Sequence, residues 1–413
     1  MNVLFIHQNF PAQFKNLGPA LASQPGNRVI ALTSRTNLPA SLQGIEVRRY
    51  KTERHSTKGL HPWVTDLETK TIRAEACFRA ALALSAEGFE PDIIIAHPGW
   101  GESLFLKEVW PQAKLGIYCE FFYQASGADT NFDPEFPESD PSGTPCRLRM
   151  RNINNLLHFD IADAALAPTH WQASTFPQPF RDKISVIHDG IDTDRLAPSK
   201  DVWIKIGGSL KLTREDEIIT FVNRNLEPLR GCHIFMRALP ELLRRRPNAR
   251  VIIVGGDEGS YGAPRADGKS WKQHFQQELR TKTPAEARAR VHFVGNLAYA
   301  DFIRVLQLST VHIYLTYPFV LSWSLLEAMS VGCAVVASDT SPLQEVITDK
   351  ENGRLVNFFD SEQLTEEVIS LLEDPAERQR LGANARQFAI EHYDLQTVCL
   401  PQQLAWVTQL SAS

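Results

Sequence analysis

Short apolar runs without a polar break, such as the IIIA of PDIIIA at 93–96, recur along this chain between helix-length amphipathic stretches. A strand that is apolar at every position has both faces covered, which is the condition of parallel strands in a sheet sandwiched by helices. In the first half the strand candidates fall at 3–7, 28–32, 45–49, 92–96, 114–119, 164–167 and 184–187, with helical patterns at 12–23, 66–86, 100–109 and about 144–158. The second half repeats the plan. Its strands are expected at 218–222, 250–254, 291–294, 311–314 and 334–337, and its helices at about 231–246, 270–282, 300–308 and 322–331. Alternation of this kind, met twice, predicts an α/β chain with two doubly wound, Rossmann-like domains.

A chain of 413 residues exceeds what one hydrophobic core ordinarily serves, so two domains are expected on length as well. The break is placed in the polar, irregular stretch 189–214, which holds Pro198 and the Gly207–Gly208 pair. This gives an N-terminal domain at 1–195, a C-terminal domain at 196–390 and a last helix at 391–413, expected to pack back on the N-terminal domain. Residues 124–145, rich in Pro, Asp, Gly and Ser, read as a long loop after a strand. Ligands of open α/β sheets bind beyond the carboxyl ends of the strands, so the expected site is a cleft across which the two domains face.

Composition narrows the function classes. A net charge of −5 lacks the basic footprint of a nucleic-acid binder. The six cysteines form no CxxC pair, which argues for reduced, mostly buried thiols rather than a metal centre or disulfide framework. The opening MNVLFIHQNF has neither a basic segment nor a small-residue cleavage site and reads as a first strand. No run approaches the length of a membrane helix. A cytoplasmic protein is expected, with any contact to the inner membrane face weak and peripheral. The basic runs RLRMRN (147–152) and RRRP (244–247) read first as solvated helix charge, the former also as a place for lipid headgroups or an anionic acceptor.

Two segments carry chemistry. In FVNRNLEPLRGCHIFMRAL (221–239) a strand is expected to end at Val222, with Arg224 and Arg230 in the connecting loop and Gly231 opening a helix. Two guanidiniums beside a helix N-terminus make an anion site, because Arg pairs with phosphate bidentately and the helix start presents free N–H groups. In YPFVLSWSLLEAMSVGCAVVASD (317–339), Ser322 is the expected N-cap of a helix carrying Trp323, Ser324 and, one turn on, Glu327. A carboxylate there suits the two hydroxyls of a ribose.

These segments, in this order, resemble the retaining family 4 glycosyltransferases of the GT-B fold. IHDGIDTDRL, APTHWQASTFP, ARVIIVGGD and SDTSPLQEVI carry the likeness over essentially the whole chain. The resemblance implies that Arg224 and Arg230 neutralise a donor diphosphate, with Arg at 230 where the family has Lys, and that Glu327 is the second of the family's paired glutamates and holds ribose. The first of that pair is replaced by Phe319. HQNFPAQF, SYGAP and TYPFVLSWSLLEAM resemble a subgroup that lacks this first glutamate. A UDP- or GDP-sugar is then the implied donor, with no cofactor, and a glycan or lipid-linked glycan hydroxyl the implied acceptor, as in polysaccharide biosynthesis.

In the first domain, HPGWGES puts His97 directly after a buried strand, where the resemblance implies contact with the transferred sugar. The loop Gln8, Asn9, Phe10, Gln13 lacks the glycines of many relatives and is expected to face sugar or acceptor, as is Glu120. Asp192-Thr193-Asp194 imitates a metal-binding Asp-x-Asp but lies in a turn-forming segment, so no metal is expected. An epimerase or hydrolase of nucleotide sugars on the same scaffold, and a non-catalytic sugar-nucleotide-binding subunit, stay open at this point. A dehydrogenase does not, because no GxGxxG follows a first strand.

Overall fold

The computed structural model describes residues 1–259, 265 and 267–412 and divides into two compact units, Met1–Gly190 with Gln396–Ser413 and Ile191–Leu395. The SYGAP segment lies outside the described residues.

In the first unit eight strands form one sheet: β1 Asn2–Ile6, β2 Arg28–Thr33, β3 Ser41–Leu42, β4 Ile45–Arg49, β5 Ile93–Ala96, β6 Lys114–Tyr118, β7 Ala164–Ala167 and β8 Ile184–Val186. Their order is β3-β4-β2-β1-β5-β6-β7-β8, and every pairing except β3 with β4 is parallel. Alternation along β1 explains the unbroken apolar runs. Val3 and Phe5 join a core with Phe10, Phe14, Trp406 and Leu410, while Leu4 and Ile6 join the core under the helix Thr65–Ala86 on the opposite face. The C-terminal helix Leu400–Ala412 belongs to this unit, where Trp406 lies over Gly116 of β6 so closely that a Cβ there would be 2.4 Å from the ring. Glycine at 116 is what lets the indole pack.

In the second unit six parallel strands, β11 Ile218–Asn225, β12 Arg250–Gly256, β13 Val291–Gly295, β14 Val311–Tyr314, β15 Val335–Ser338 and β16 Arg354–Val356, lie in the order β13-β12-β11-β14-β15-β16. Ahead of them β9 Trp203–Ile206 and β10 Leu210–Thr213 form an antiparallel hairpin turning at Gly207–Gly208, both at positive φ. This corrects the expectation of an irregular stretch through 214. The pattern there is too short and half-exposed to signal strands, yet Leu212 is fully buried in this unit's core. A second correction concerns 100–109, expected as a helix. It consists of short 3-10 turns, Pro98–Trp100 and Leu106–Glu108, because Gly101 takes φ 94 and Lys70 of the facing helix leaves a Cβ at 101 no room.

The order in each sheet reverses direction at one pair of neighbours, β1/β5 in the first unit and β11/β14 in the second. Beyond those strand ends the chain parts to either side and leaves space for a ligand.

Candidate active site

At the first switch point β1 delivers His7 and β5 delivers His97. His97 caps the turn Pro98–Trp100: its Nδ1 accepts the Gly99 N–H at 3.1 Å. The ring proton therefore sits on Nε2, an enclosed atom with no hydrogen-bond partner, 3.6 Å from Glu120 Oε2. His7 is fixed in the same way, its Nδ1 accepting from Asn9 N at 2.9 Å and its Nε2–H donating to Gln13 Oε1 at 2.9 Å. The Gln13 amide nitrogen then reaches Glu120 Oε1 at 3.3 Å. Gln13 thus links His7 to the Glu120 carboxylate, and the His97 Nε2–H stands beside that carboxylate without bonding to it.

Aromatic rings hold this arrangement in place. His97 stacks on Tyr118 with centroids 5.4 Å apart, and Trp100 lies 4.6 Å from His97 and 5.0 Å from His7. Burial, and secondarily the neighbouring His97, lower the His7 pKa to about 3, so His7 is neutral across the physiological range. Such a site presents an N–H donor and a carboxylate acceptor to hydroxyl groups.

Of the loop residues expected here, Gln8 and Asn9 reach the surface. Phe10 does not face a ligand: it is fully buried against Phe5. An aromatic after a strand end fits a pocket wall and a core equally well, and the apolar face of β1 takes it. Sequence reading missed His7, Trp100 and Tyr118; the adjacency of β1, β5 and β6, which pattern alone does not give, brings them to His97.

At the second switch point the expected local path is corrected. β11 continues past Val222 through a register irregularity to Asn225, so Arg224 lies on the strand and not in a loop. Pro228–Arg230 form a 3-10 turn, Gly231 follows at φ 68, and the helix runs Cys232–Arg245 with Gly231 as its N-cap, so Gly231 opens the helix as expected. A Cβ on Gly231 would come 2.3 Å from Leu315 Cβ, so a close backbone approach and a left-handed conformation both demand glycine.

Arg230 is buried and its guanidinium is oriented by oxygen acceptors beyond β14: Thr316 Oγ1 at 2.9 Å, Val320 O at 3.2 Å and Tyr314 Oη at 3.3 Å. Phe319, standing where the resemblance leads one to expect a carboxylate, puts its ring 5.7 Å from the Arg230 guanidinium carbon. Arg224 is exposed and makes no hydrogen bond or ion pair among the described residues. Ser322 caps the helix Trp323–Ser330, and its own N–H donates to Tyr314 Oη, which ties the helix start to the Arg230 cluster. Trp323 and Ser324 in the first turn are half-buried. Glu327 is buried, and its Oε1 accepts from Tyr299 Oη at 2.6 Å. Tyr299, on the helix Tyr299–Leu308, carries no signal in the sequence beyond an ordinary amphipathic pattern.

Other chemistry suggested by the sequence is consumed locally. In Asp192-Thr193-Asp194, Asp192 accepts from Arg195 N at 3.1 Å and Thr193 donates to Asp394 at 2.5 Å, a turn and a clamp. Arg244, Arg245 and Arg246 pair with Glu241, Glu366 and Glu217. Arg147 pairs with Glu138, and Arg151 lies 3.6 Å over the Tyr123 ring. Cys146 alone of the six cysteines is exposed. Among the described residues no helix is long and apolar enough to cross a membrane.

Two parallel switch-point sheets with these strand ends define the GT-B glycosyltransferase fold, and the family matches agree: residues 25–196 match the Glycosyl transferase family 4 group and residues 208–388 match Glycosyl transferases group 1. Two glycosyltransferase family models thus match successive parts of the chain, and its fold is GT-B. A phosphatidyl-myo-inositol mannosyltransferase of Mycolicibacterium smegmatis is 30% identical over 187 residues, 45% of this chain and 43% of that protein. A D-inositol 3-phosphate glycosyltransferase of Catenulispora acidiphila is 27% identical over 237 residues, 56% of this chain and 52% of that one. The chain spans about half the length of the curated relatives it matches. Among solved structures, Anabaena HepE in complex with UDP and glucose superposes with a TM-score of 0.67 at 18% identity over 99% of both chains. The sucrose-phosphate synthase of Thermosynechococcus elongatus reaches 0.75 at 17% identity over 100% of both.

Proposed function

We propose that the protein transfers a hexosyl group from a nucleotide-diphosphate sugar, a UDP- or GDP-sugar, to a hydroxyl of a glycan or lipid-linked acceptor, with retention of anomeric configuration and without a metal. The observation that carries this reading is the pair Arg224 and Arg230 at the carboxyl end of β11, one open at the surface and one buried and oriented from behind. Departure of a nucleoside diphosphate needs little from a protein besides cations preorganised where charge develops. Glu327, oriented by Tyr299, supplies an acceptor for ribose hydroxyls. In the other unit the His97 Nε2–H is a donor for a sugar oxygen, and Glu120 an acceptor for an incoming hydroxyl proton.

The test is a thermal-shift titration with UDP, GDP, UDP-glucose and GDP-mannose, followed by product analysis without and with acceptor. A ligand that binds the native state alone raises the melting temperature. One nucleotide series is expected to do so, and Arg224→Ala to remove the shift. Absence of any shift with all four ligands overturns the reading; free sugar as the sole product in the presence of acceptors reassigns the protein as a hydrolase.

A further inference from the structure

On the first unit, a depression of about 500 Å³ opens beyond the ends of β1, β2 and β4, walled by Gln8, Ser34, Thr52, Arg54, Thr69 and Arg73 above a floor of Tyr50 and Ile72. It lies on the β2 side of β1, whereas His97 stands on the β5 side. Gln8, adjacent to His7, forms part of its wall.

The cations around it fall into two groups. Arg35 is engaged by Asn37 and the Phe10 carbonyl, Arg49 by the Leu38 carbonyl and Lys70 by Asp66. Arg54 and Arg73 line the pocket and make no hydrogen bond or ion pair with any described residue, although Arg73 is half-buried. Glu102, a carboxylate whose field Arg73 feels, is wholly enclosed and takes the Tyr50 hydroxyl at 2.8 Å. The hydroxyls sort in the same way. Thr69 gives its proton to Thr65 O, which obliges Ser56 to donate to Thr69, and Ser34 gives its own to Gln8 O. Thr52 keeps its donor available, as does the Gln8 amide. The pocket therefore offers two guanidiniums and neutral N–H and O–H donors, with no carboxylate of its own. Guanidiniums that make no direct ion pair keep their N–H forks available to an arriving anion.

We propose that this pocket binds a phosphate ester carried by the acceptor, held by Arg54 and Arg73 with Thr52 and Gln8, while the acceptor's reacting hydroxyl extends past β1 toward His97 and Glu120. The proposal rests on the transferase reading and narrows its acceptor to a phosphorylated one. A multi-donor pocket matches a tetrahedral oxyanion, whose three oxygens accept from several directions, better than a planar carboxylate.

The experiment is calorimetric titration of the full chain with inorganic phosphate and with glycerol 3-phosphate, in parallel with UDP. Saturable binding is expected, weakened about tenfold or more by Arg73→Gln and by Arg54→Gln singly and lost in the double variant. Lys211→Gln, a surface cation of the other unit, is the control and should bind as the wild type. Arg73→Lys keeps the charge and guards against a folding defect in the Gln variant. Phosphate binding that is absent in the wild type, or unchanged in the double variant, overturns the proposal. The ester's source is read by two arms: sedimentation with vesicles containing phosphatidate for a lipid, and transfer to hexose 6-phosphate over unphosphorylated hexose for a soluble acceptor. Equal transfer to both hexoses with no vesicle binding also overturns it. Loss of UDP binding with phosphate binding intact would sink the transferase reading and leave the pocket standing as an anion site.

Discussion

Tyr299 Oη lies 2.6 Å from Glu327 Oε1 and joins two helices that follow different strands of the second sheet. Tyr299 is itself 45% exposed, so the bond links a buried carboxylate to the surface. The phenol fixes the orientation of the carboxylate. Tyr299→Phe is expected to raise the donor KM by about tenfold with kcat nearly unchanged, since a hydrogen bond to a carboxylate, worth about 1.5 kcal/mol, is lost from ground and transition states alike. Steady-state kinetics with varied donor checks this; an unchanged KM would detach Glu327 from donor binding.

The two arginines should differ in how they fail. Arg224→Ala removes an exposed charge that supports nothing in the fold, so stability stays within about 0.5 kcal/mol while kcat falls roughly 100-fold. Arg230→Ala removes the anchor of Thr316, Tyr314 and Val320 as well and should cost stability. Arg230→Lys is the informative change. A lysine supplies charge without the fork, so activity should recover in part while the tie to the Val320 carbonyl weakens. Melting temperature and turnover measured on all three variants separate the roles; a loss of melting temperature in Arg224→Ala as large as in Arg230→Ala would contradict the division.

Gly231 tests the local geometry. Alanine there must adopt φ near 68 and bring its Cβ against Leu315, at a combined cost of about 2–4 kcal/mol. Chemical denaturation followed by a probe in the second unit should show that loss. A stability change under about 0.5 kcal/mol would mean that the 228–231 turn relaxes freely.

How far the sequence announces this protein depends on the range of the signal. Runs such as IIIA at 93–96 are apolar at every position because both faces of the strand are covered, and they foretell the two parallel sheets. The helix Trp271–Lys282 with its Ser270–Gln273 capping box is equally legible. What failed was local geometry set by distant neighbours. Gly101 breaks an expected helix because Lys70 sits against it, and β11 runs three residues longer because β12 pairs with Asn225. The site shows the same division. Arg230 and Glu327 stand out as charged residues in the segments that follow strands, but Tyr299, Thr316 and His7 become partners through sheet order, and Phe10 passes from loop to core.

The series from His7 through Gln13 to Glu120 predicts a remote effect. Gln13→Leu cuts the tie between imidazole and carboxylate and removes one of the bonds that orient Glu120, while the second unit is untouched. Turnover should fall about tenfold and UDP affinity should not change; His97→Ala, which removes the donor itself, should cost nearer 100-fold. Gln13→Glu keeps an acceptor for His7 but sets a second carboxylate beside Glu120, so it should not rescue. Full turnover in Gln13→Leu would remove Glu120 from the reaction.

Acid should unfold the two units unequally. Burial lowers the pKa of His7, His188 and His312 to about 3 and of His158 to about 4, the last donating and accepting through Asn154 and Ser103. Each native pKa lies below the unfolded value near 6.5, so below that pH the unfolded chain takes up protons that the native chain refuses. Stability is therefore complete above about pH 7 and is lost as pH falls from 6.5 toward the native values, by roughly 2 kcal/mol per histidine at pH 5. Three of these residues, His7, His158 and His188, belong to the first unit and only His312 to the second. Hydrogen exchange at pH 7.5 and pH 5, read separately for β1, β5 and β6 and for β11, β12 and β14, should show protection collapsing first in the former set. Exchange is the suitable probe because a two-unit chain need not unfold in one step. Equal loss of protection in both sheets would show that the histidines do not govern the acid limit.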